Sequence, residues 1–144
     1  MPRSRAKPLL EEQLTREIIG AYYEVYNVLG YGFLESVYAK ALEQELRARG
    51  LRVERETWVN VYYKGECVGV FRADMLVEGR VVVENKATAT LSSNDRDQLR
   101  NYLRGSVLEV GLLLHFGPRP AFQRVIAENR LSPDPAVSGV SVSS

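Results

Sequence analysis

The stretch Phe71-Arg-Ala-Asp74-Met-Leu-Val77-Glu-Gly-Arg80-Val81-Val-Val-Glu84-Asn-Lys86 decides the fold. It reads as two antiparallel strands around a tight turn, because apolar residues run up to Glu78-Gly79-Arg80 and resume directly after it. With those three residues as the loop, Val77 pairs with Val81 and Asp74 falls opposite Glu84, and directly opposed side chains share a face. A one-residue change in loop length would break that register. Alternation also puts Glu84 and Lys86 on one face. Two carboxylates and an ammonium then converge beside Val81-Val82-Val83, an apolar run of the kind normally buried, where charge is costly unless paired or metal-bound. A metal-assisted hydrolase site is the sharper reading. A structural ion pair of Lys86 with Glu84 or Asp74 at a sheet edge is the plainer one, and an isolated Glu-x-Lys would favour it.

Upstream, residues 52–63 alternate through Val53, Arg55, Thr57, Val59 and Val61, and Lys64-Gly65-Glu66 turns the chain into residues 67–77. Before them the period is helical. A first helix over residues 11–29 turns Leu14, Ile18, Tyr22, Val25, Tyr26 and Leu29 inward and stops at Gly30. A second runs over residues 34–49, with Leu34, Val37, Ala41, Leu42 and Leu46 expected inward and Gly50 at its end. Downstream, Ser92-Ser93-Asn94-Asp95 is a helix-start signal ahead of Gln98, Leu99, Tyr102 and Leu103, and this helix ends near Gly105. Residues 107–116 read as a buried strand and residues 122–127 as a short final one, joined by Gly117-Pro118-Arg119-Pro120. Residues 1–10 read as a flexible basic arm, 11–130 as a single domain and 131–144 as a disordered tail.

The 144 residues, 45% of them hydrophobic, suffice for one core and not comfortably for two. Nineteen basic and eighteen acidic residues leave a formal charge of +1, so no global field draws the chain to nucleic acid and any such contact needs a local patch. Cys67 is the sole cysteine, which excludes an intramolecular disulfide framework and a thiolate metal cage. No signal peptide or membrane span is apparent. A soluble protein in a reducing cytoplasm is the expectation, with no membrane partner.

The order helix, helix, three antiparallel strands, helix, strand, strand, carrying Asp74 and Glu84-Asn85-Lys86, resembles the PD-(D/E)XK nuclease superfamily. That resemblance implies an α/β restriction-endonuclease-like core, a mixed sheet flanked by helices. Gly32-Phe33-Leu34-Glu35-Ser36-Val37-Tyr38 looks like the heptad that names the GxxExxY family within it. The similarity spans about residues 12–128. It implies a Mg2+- or Mn2+-dependent nuclease acting on DNA or RNA, with Asp74, Glu84, Lys86 and Glu35 catalytic. Glu35, Asp74 and Glu84 would supply hard carboxylate ligands, with the Asn85 main-chain carbonyl as a further ligand by position. Lys86 would orient water or neutralise charge developing on phosphate. Gln98 and Tyr102, one helical turn apart, resemble the Q-x-x-x-Y pair of related nucleases and would line the substrate cleft.

Other residues weigh less. Glu35 shares a helical face with Tyr38 and Leu42, so it is either a ligand or a charge beside the site. Arg96 and Arg100, with Arg104, form a stripe that binds phosphate or is a solvated face. His115 reads as a satisfied structural residue. Trp58, Tyr62 and Tyr63 suit base stacking, though alternation fits sheet packing better. Asn85 stands where an apolar residue is expected, with its side chain facing away from the cleft. Two competing functions remain open: a non-catalytic nucleic-acid-binding or protein-assembly module retaining the nuclease fold, and a hydrolase of a smaller phosphate ester. Dimerisation or a protein partner would supply affinity that the near-neutral charge does not.

Overall fold

Two tight turns set the sheet. Lys64 (φ 51°) and Gly65 (φ 82°), then Glu78 (φ 55°) and Gly79 (φ 66°), place consecutive residues in the left-handed region. That backbone matches the right-handed twist of flanking strands and closes a two-residue loop between Tyr63 and Glu66 and a three-residue loop between Val77 and Val81, with glycine carrying the second position without steric cost. The result is β1 (Val53–Tyr63), β2 (Glu66–Val77) and β3 (Val81–Lys86), antiparallel in sequence. The computed structural model describes residues 11–127, so the expected basic arm and tail lie outside the described residues.

Helices α1 (Glu12–Leu29) and α2 (Glu35–Ala48) precede the hairpins, and α3 (Ser93–Arg104) carries the chain from β3 to β4 (Val110–Phe116), which is parallel to β3. The last strand, β5 (Pro120–Ile126), returns antiparallel to β4, giving a mixed five-stranded sheet in the order β1-β2-β3-β4-β5. Helices α1 and α2 cover one face and α3 the other. The valine run is buried because it serves both: Val81 and Val83 pack with Tyr22, Tyr38 and Leu42, while Val82 packs with Leu99 and Leu103. All seven residues of β4 are likewise buried, as a strand covered on both faces requires. No helix among the described residues is long and apolar enough to cross a membrane.

One irregularity shapes everything that follows. Met75 and Val77 belong to the core under α1 and α2, yet Phe71 and Ala73, of the same parity, pack with the core under α3. Side-chain direction therefore reverses at Asp74. The reversal is matched on β1, where Val53 faces α2 and Val59 faces the α3 core, and where the intervening Glu56 has φ 51°. Glu56 and Asp74 are skipped between the pair Arg55 with Met75 and the pair Thr57 with Ala73. Beyond this point the β1–β2 arm leaves the body of the sheet, since only Met75, Leu76 and Val77 pair with β3.

Three expectations need correction. Leu34 and Val37 are exposed, at 75% and 39%, because the buried stripe of α2 runs through Tyr38, Ala39, Leu42 and Leu46. Val107 is exposed and the strand begins only at Val110, after a turn at Ser106 whose hydroxyl bonds the Leu103 carbonyl. Pro120 opens β5 instead of remaining in the loop.

Candidate active site

The β2–β3 ladder ends at Met75 and Val83, one step before Asp74 and Glu84. Main-chain N–H groups freed there still need acceptors. The acids provide them reciprocally: Glu84 Oε2 accepts from the Asp74 N–H at 3.1 Å, and Asp74 Oδ2 accepts from the Asn85 N–H at 2.9 Å. Each carboxylate is thereby oriented by the opposite strand, and each keeps its second oxygen for other work. Charge-assisted bonds of this kind are about twice as strong as neutral ones. On its other side β3 stays paired to β4, Glu84 with Leu113 and Lys86 with His115, so the edge of Glu84-Asn85-Lys86 that faces the departing arm is open.

The elements on either side bring two more acids. Glu35 is the first residue of α2, whose N-cap Leu34 offers no side-chain acceptor, and its carboxyl lies near enough to the Ala87 main-chain N–H just past β3 to be influenced by it. Partial burial of that carboxyl and then the Asp74 charge push its pKa up, against the pull of Lys86 and the Ala87 N–H; Asp95 on α3 adds a smaller upward push. Glu84 is driven further, to about 8, first by burial and then by the Asp74 charge, with the Asp74 N–H and Lys86 opposing and Glu35 reinforcing. Among the described residues Lys86 is the only cation acting on either group. The cluster is short of positive charge, and burial with like-charged neighbours is the physical cause.

Asn85 contributes differently. Its side chain is fully buried, and neither Oδ1 nor Nδ2 has a hydrogen-bond partner. Turned into the core as alternation requires, it leaves only its main-chain carbonyl as a candidate ligand. His115 is buried, with Nε2 2.6 Å from the Thr88 carbonyl, so it ties the segment leaving β3 back onto β4 as a structural residue.

Helix α3 is started by a capping box: Ser92 Oγ accepts from the Asn94 N–H at 2.9 Å, and the Asp95 carboxylate accepts from the Ser92 N–H at 3.3 Å. Gln98 is exposed and shares a surface depression of about 520 Å3 with Asn94, Asp95, Asp97, Asn101 and Tyr102. Tyr102 is half-buried, stacked on Phe71 with centroids 4.5 Å apart, which fastens α3 to the β1–β2 arm. Arg96 and Arg100 are half-buried, and Arg96 Nε lies 3.6 Å from Asp97 Oδ1 on its own helix. A larger depression of about 640 Å3 lies between the start of α1 and the Glu78–Arg80 turn. That turn is the far end of β2 and β3 from the acids, and Arg80 there is paired to Glu11 at 3.0 Å.

The sheet thus brings Asp74, Glu84 and Lys86 to one fork, with Glu35 electrostatically coupled to them from α2. Gln98 and Tyr102 stand on the α3 side. Among the described residues no three Asp, Glu, His or Cys side chains are gathered closely enough to grip a cation as they stand. The donor set is nonetheless all hard oxygen, which fits Mg2+ or Mn2+, and the excess of negative charge is of the kind a divalent ion relieves. Sequence reasoning passed over Asp95, read only as part of a helix start, and Phe71, whose stacking on Tyr102 needed the arm's reversed facing. It also misplaced Trp58 and Tyr63, which are both 61% exposed instead of packed into the sheet.

A family model for the PD-(D/E)XK nuclease superfamily matches residues 12–125. Among solved structures, the chain is similar to the crystal structure of SSO0001, at 20% identity and a TM-score of 0.50 over 94% of this chain and 68% of that one. This likeness is one of fold. No curated protein matches at a significant level.

Proposed function

The chain belongs to the PD-(D/E)XK nuclease superfamily, and from that premise we propose that it is a Mg2+- or Mn2+-dependent nuclease of the GxxExxY type that hydrolyses phosphodiester bonds of DNA or RNA. The observation that carries the reading is the fork itself. Asp74 and Glu84 replace the strand ladder with reciprocal bonds at 3.1 and 2.9 Å, and Lys86 is the single cation among the described residues opposing their charge. A purely structural ion pair would not need a second and third acid against one lysine.

Glu35, Asp74 and Glu84 would hold the ion, with the Asn85 carbonyl as a further ligand by position. Once bound, the ion supplies Lewis-acid polarisation of phosphate and activation of water. The protein's share is orientation and charge. The Asp74 and Asn85 N–H groups hold the Glu84 and Asp74 carboxylates in place. Lys86 is an ammonium in a half-buried position, where it would stabilise charge building on a phosphate oxygen more than it would in water. Gln98 and Tyr102 would flank the strand being cut, with Arg96 and Arg100 as phosphate contacts. The setting we infer is cytoplasmic, in which the exposed thiol of Cys67 stays reduced.

A second reading is favoured by one observation: the three acids are not gathered into a cation cage as they stand. That suits a module that keeps the fold and holds nucleic acid or a protein, as a homodimer or with a partner. Incubating the purified protein with single- and double-stranded DNA and RNA in Mg2+, Mn2+ or EDTA, beside Glu84→Ala and Lys86→Ala, separates the two. Divalent-dependent cleavage lost in both variants supports the nuclease. No cleavage of any substrate, or cleavage surviving both substitutions, overturns it.

A further inference from the structure

Beyond the reversal at Glu56 and Asp74, the sheet face that α2 covers through Val53, Met75 and Val77 continues outward along the β1–β2 arm as Trp58 and Asn60 on one strand and their partners Arg72 and Val70 on the other, up to a register shift after Val61 at which Tyr62 pairs with Cys67 and Val68 is bulged out. No helix among the described residues covers it there: Trp58 is 61% exposed, Val68 62% and Val70 51%. Trp58 is paired across the strands with Arg72, whose guanidinium lies over the indole at 5.9 Å. At the tip of the arm Lys64 Nζ lies over the Tyr63 ring at 5.3 Å. Asn60 Nδ2 and the Tyr62 hydroxyl bond each other on the same face at 3.2 Å.

We propose that this face, centred on Trp58 and Arg72, is a stacking platform for unpaired bases of a single-stranded nucleic acid whose backbone runs on to the fork. The proposal rests on the nuclease reading and gives it a substrate class. An exposed indole offers its π-face to any base that is itself unstacked, whereas the bases of a duplex are already stacked on their neighbours. Arg72 belongs to the same strand as Asp74, two residues or about 7 Å of extended chain away; Glu84 and Lys86 share the face of Val82 and Leu113, so a strand stacked on Trp58 would bring a phosphate to the acids around the open edge where the arm leaves β3. The ion pair of Arg72 with Glu56 at 3.0 Å is solvent-exposed on both sides, and exposed pairs of this kind hold weakly enough for a phosphate to compete. An exposed indole accompanied by a guanidinium also matches an anionic strand better than a second apolar sheet face would.

Trp58 is the only tryptophan in the chain, so its emission reports on the platform directly. In EDTA, where cleavage is suppressed, titration with a short oligothymidylate is expected to quench that emission saturably, and a blunt duplex of the same length to quench it much less. Measured by fluorescence anisotropy of a labelled strand, Trp58→Ala should weaken binding about tenfold or more, with Trp58→Phe keeping most of the affinity. Glu84→Ala should leave the quench intact. Quenching by duplex as strong as by single strand, unchanged affinity in Trp58→Ala, or quenching that follows protein concentration alone and vanishes with a dimer in sedimentation would each overturn the platform. Quenching without any cleavage would retain the platform and sink the nuclease reading; cleavage without quenching would do the reverse.

Discussion

The same two strands, β2 and β3, do opposite things on either side of one residue step. From the Glu78–Gly79 turn to Met75 and Val83 they are laddered and apolar, buried between α1 and α2 on one face and α3 on the other. At Asp74 and Glu84 the ladder stops, carboxylates take over the main-chain N–H groups, and the only cation acting on them among the described residues is Lys86. The contrast teaches where the molecule keeps its stability and where it gives some up. The apolar half is an ordinary buried sheet. The fork holds charge that burial disfavours, a condition that ion-binding and catalytic sites tolerate because ligand binding repays it.

Truncating the apolar half should hurt folding most. Met75 is fully buried at the last laddered pair, so Met75→Ala is expected to lower unfolding free energy by about 2–5 kcal/mol in a urea titration; a loss near zero would erase the contrast between the two halves. On the fork side, Lys86→Ala should reduce the cleavage rate by about 10²–10³ while the urea midpoint barely moves.

The acids should make stability depend on pH in an unusual sense. Glu84 binds its proton more tightly when folded, with its pKa pushed from the ordinary 4.5 to about 8. Between those values the native state carries more protons than the unfolded chain, so this contribution is fully present below pH 4.5 and is lost as pH rises through about 8. Glu84→Gln should flatten that slope and be more stable than the parent at pH 8 by of order 3 kcal/mol. Saturating Mg2+ should raise the melting temperature of the parent at pH 8 and not that of the variant. A parent that grows more stable from pH 5 to pH 8 with its slope unchanged in Glu84→Gln would mean the fork is not charge-strained.

Asn85 sharpens the comparison from within the fork, since its buried amide has no partner on either atom. Asn85→Val should stabilise the fold by about 1–3 kcal/mol and leave cleavage unchanged, because the side chain is turned away from the acids. The smallest effect belongs to the α3 side: Ser92→Ala removes the hydroxyl that accepts the Asn94 N–H and should cost about 1 kcal/mol in thermal unfolding.

Much of this was legible beforehand. The Glu78-Gly79-Arg80 turn predicts the observed pairing of Val77 with Val81, and Ser92 through Asp95 predict the start of α3, which the capping box bears out. Helical spacing correctly grouped Tyr38 with Leu42. It failed for Leu34 and Val37, because periodicity says which residues share a face and not how much of that face a neighbour covers. The exposure of Trp58 was hidden for a related reason: strict alternation assumes a strand whose facing never changes, and Glu56 at φ 51° changes it.

Hydrophobic period, turn chemistry and the order of the acids were local properties of the chain, so they could be read without coordinates: the helices, the hairpins, and the face shared by Glu84 and Lys86. The end of the ladder, the reversal at Asp74, the approach of Glu35 to Ala87 and the upward drive on Glu84 depend on elements dozens of residues apart packing against one another. Those are matters of distance and burial between segments, which only the folded chain possesses.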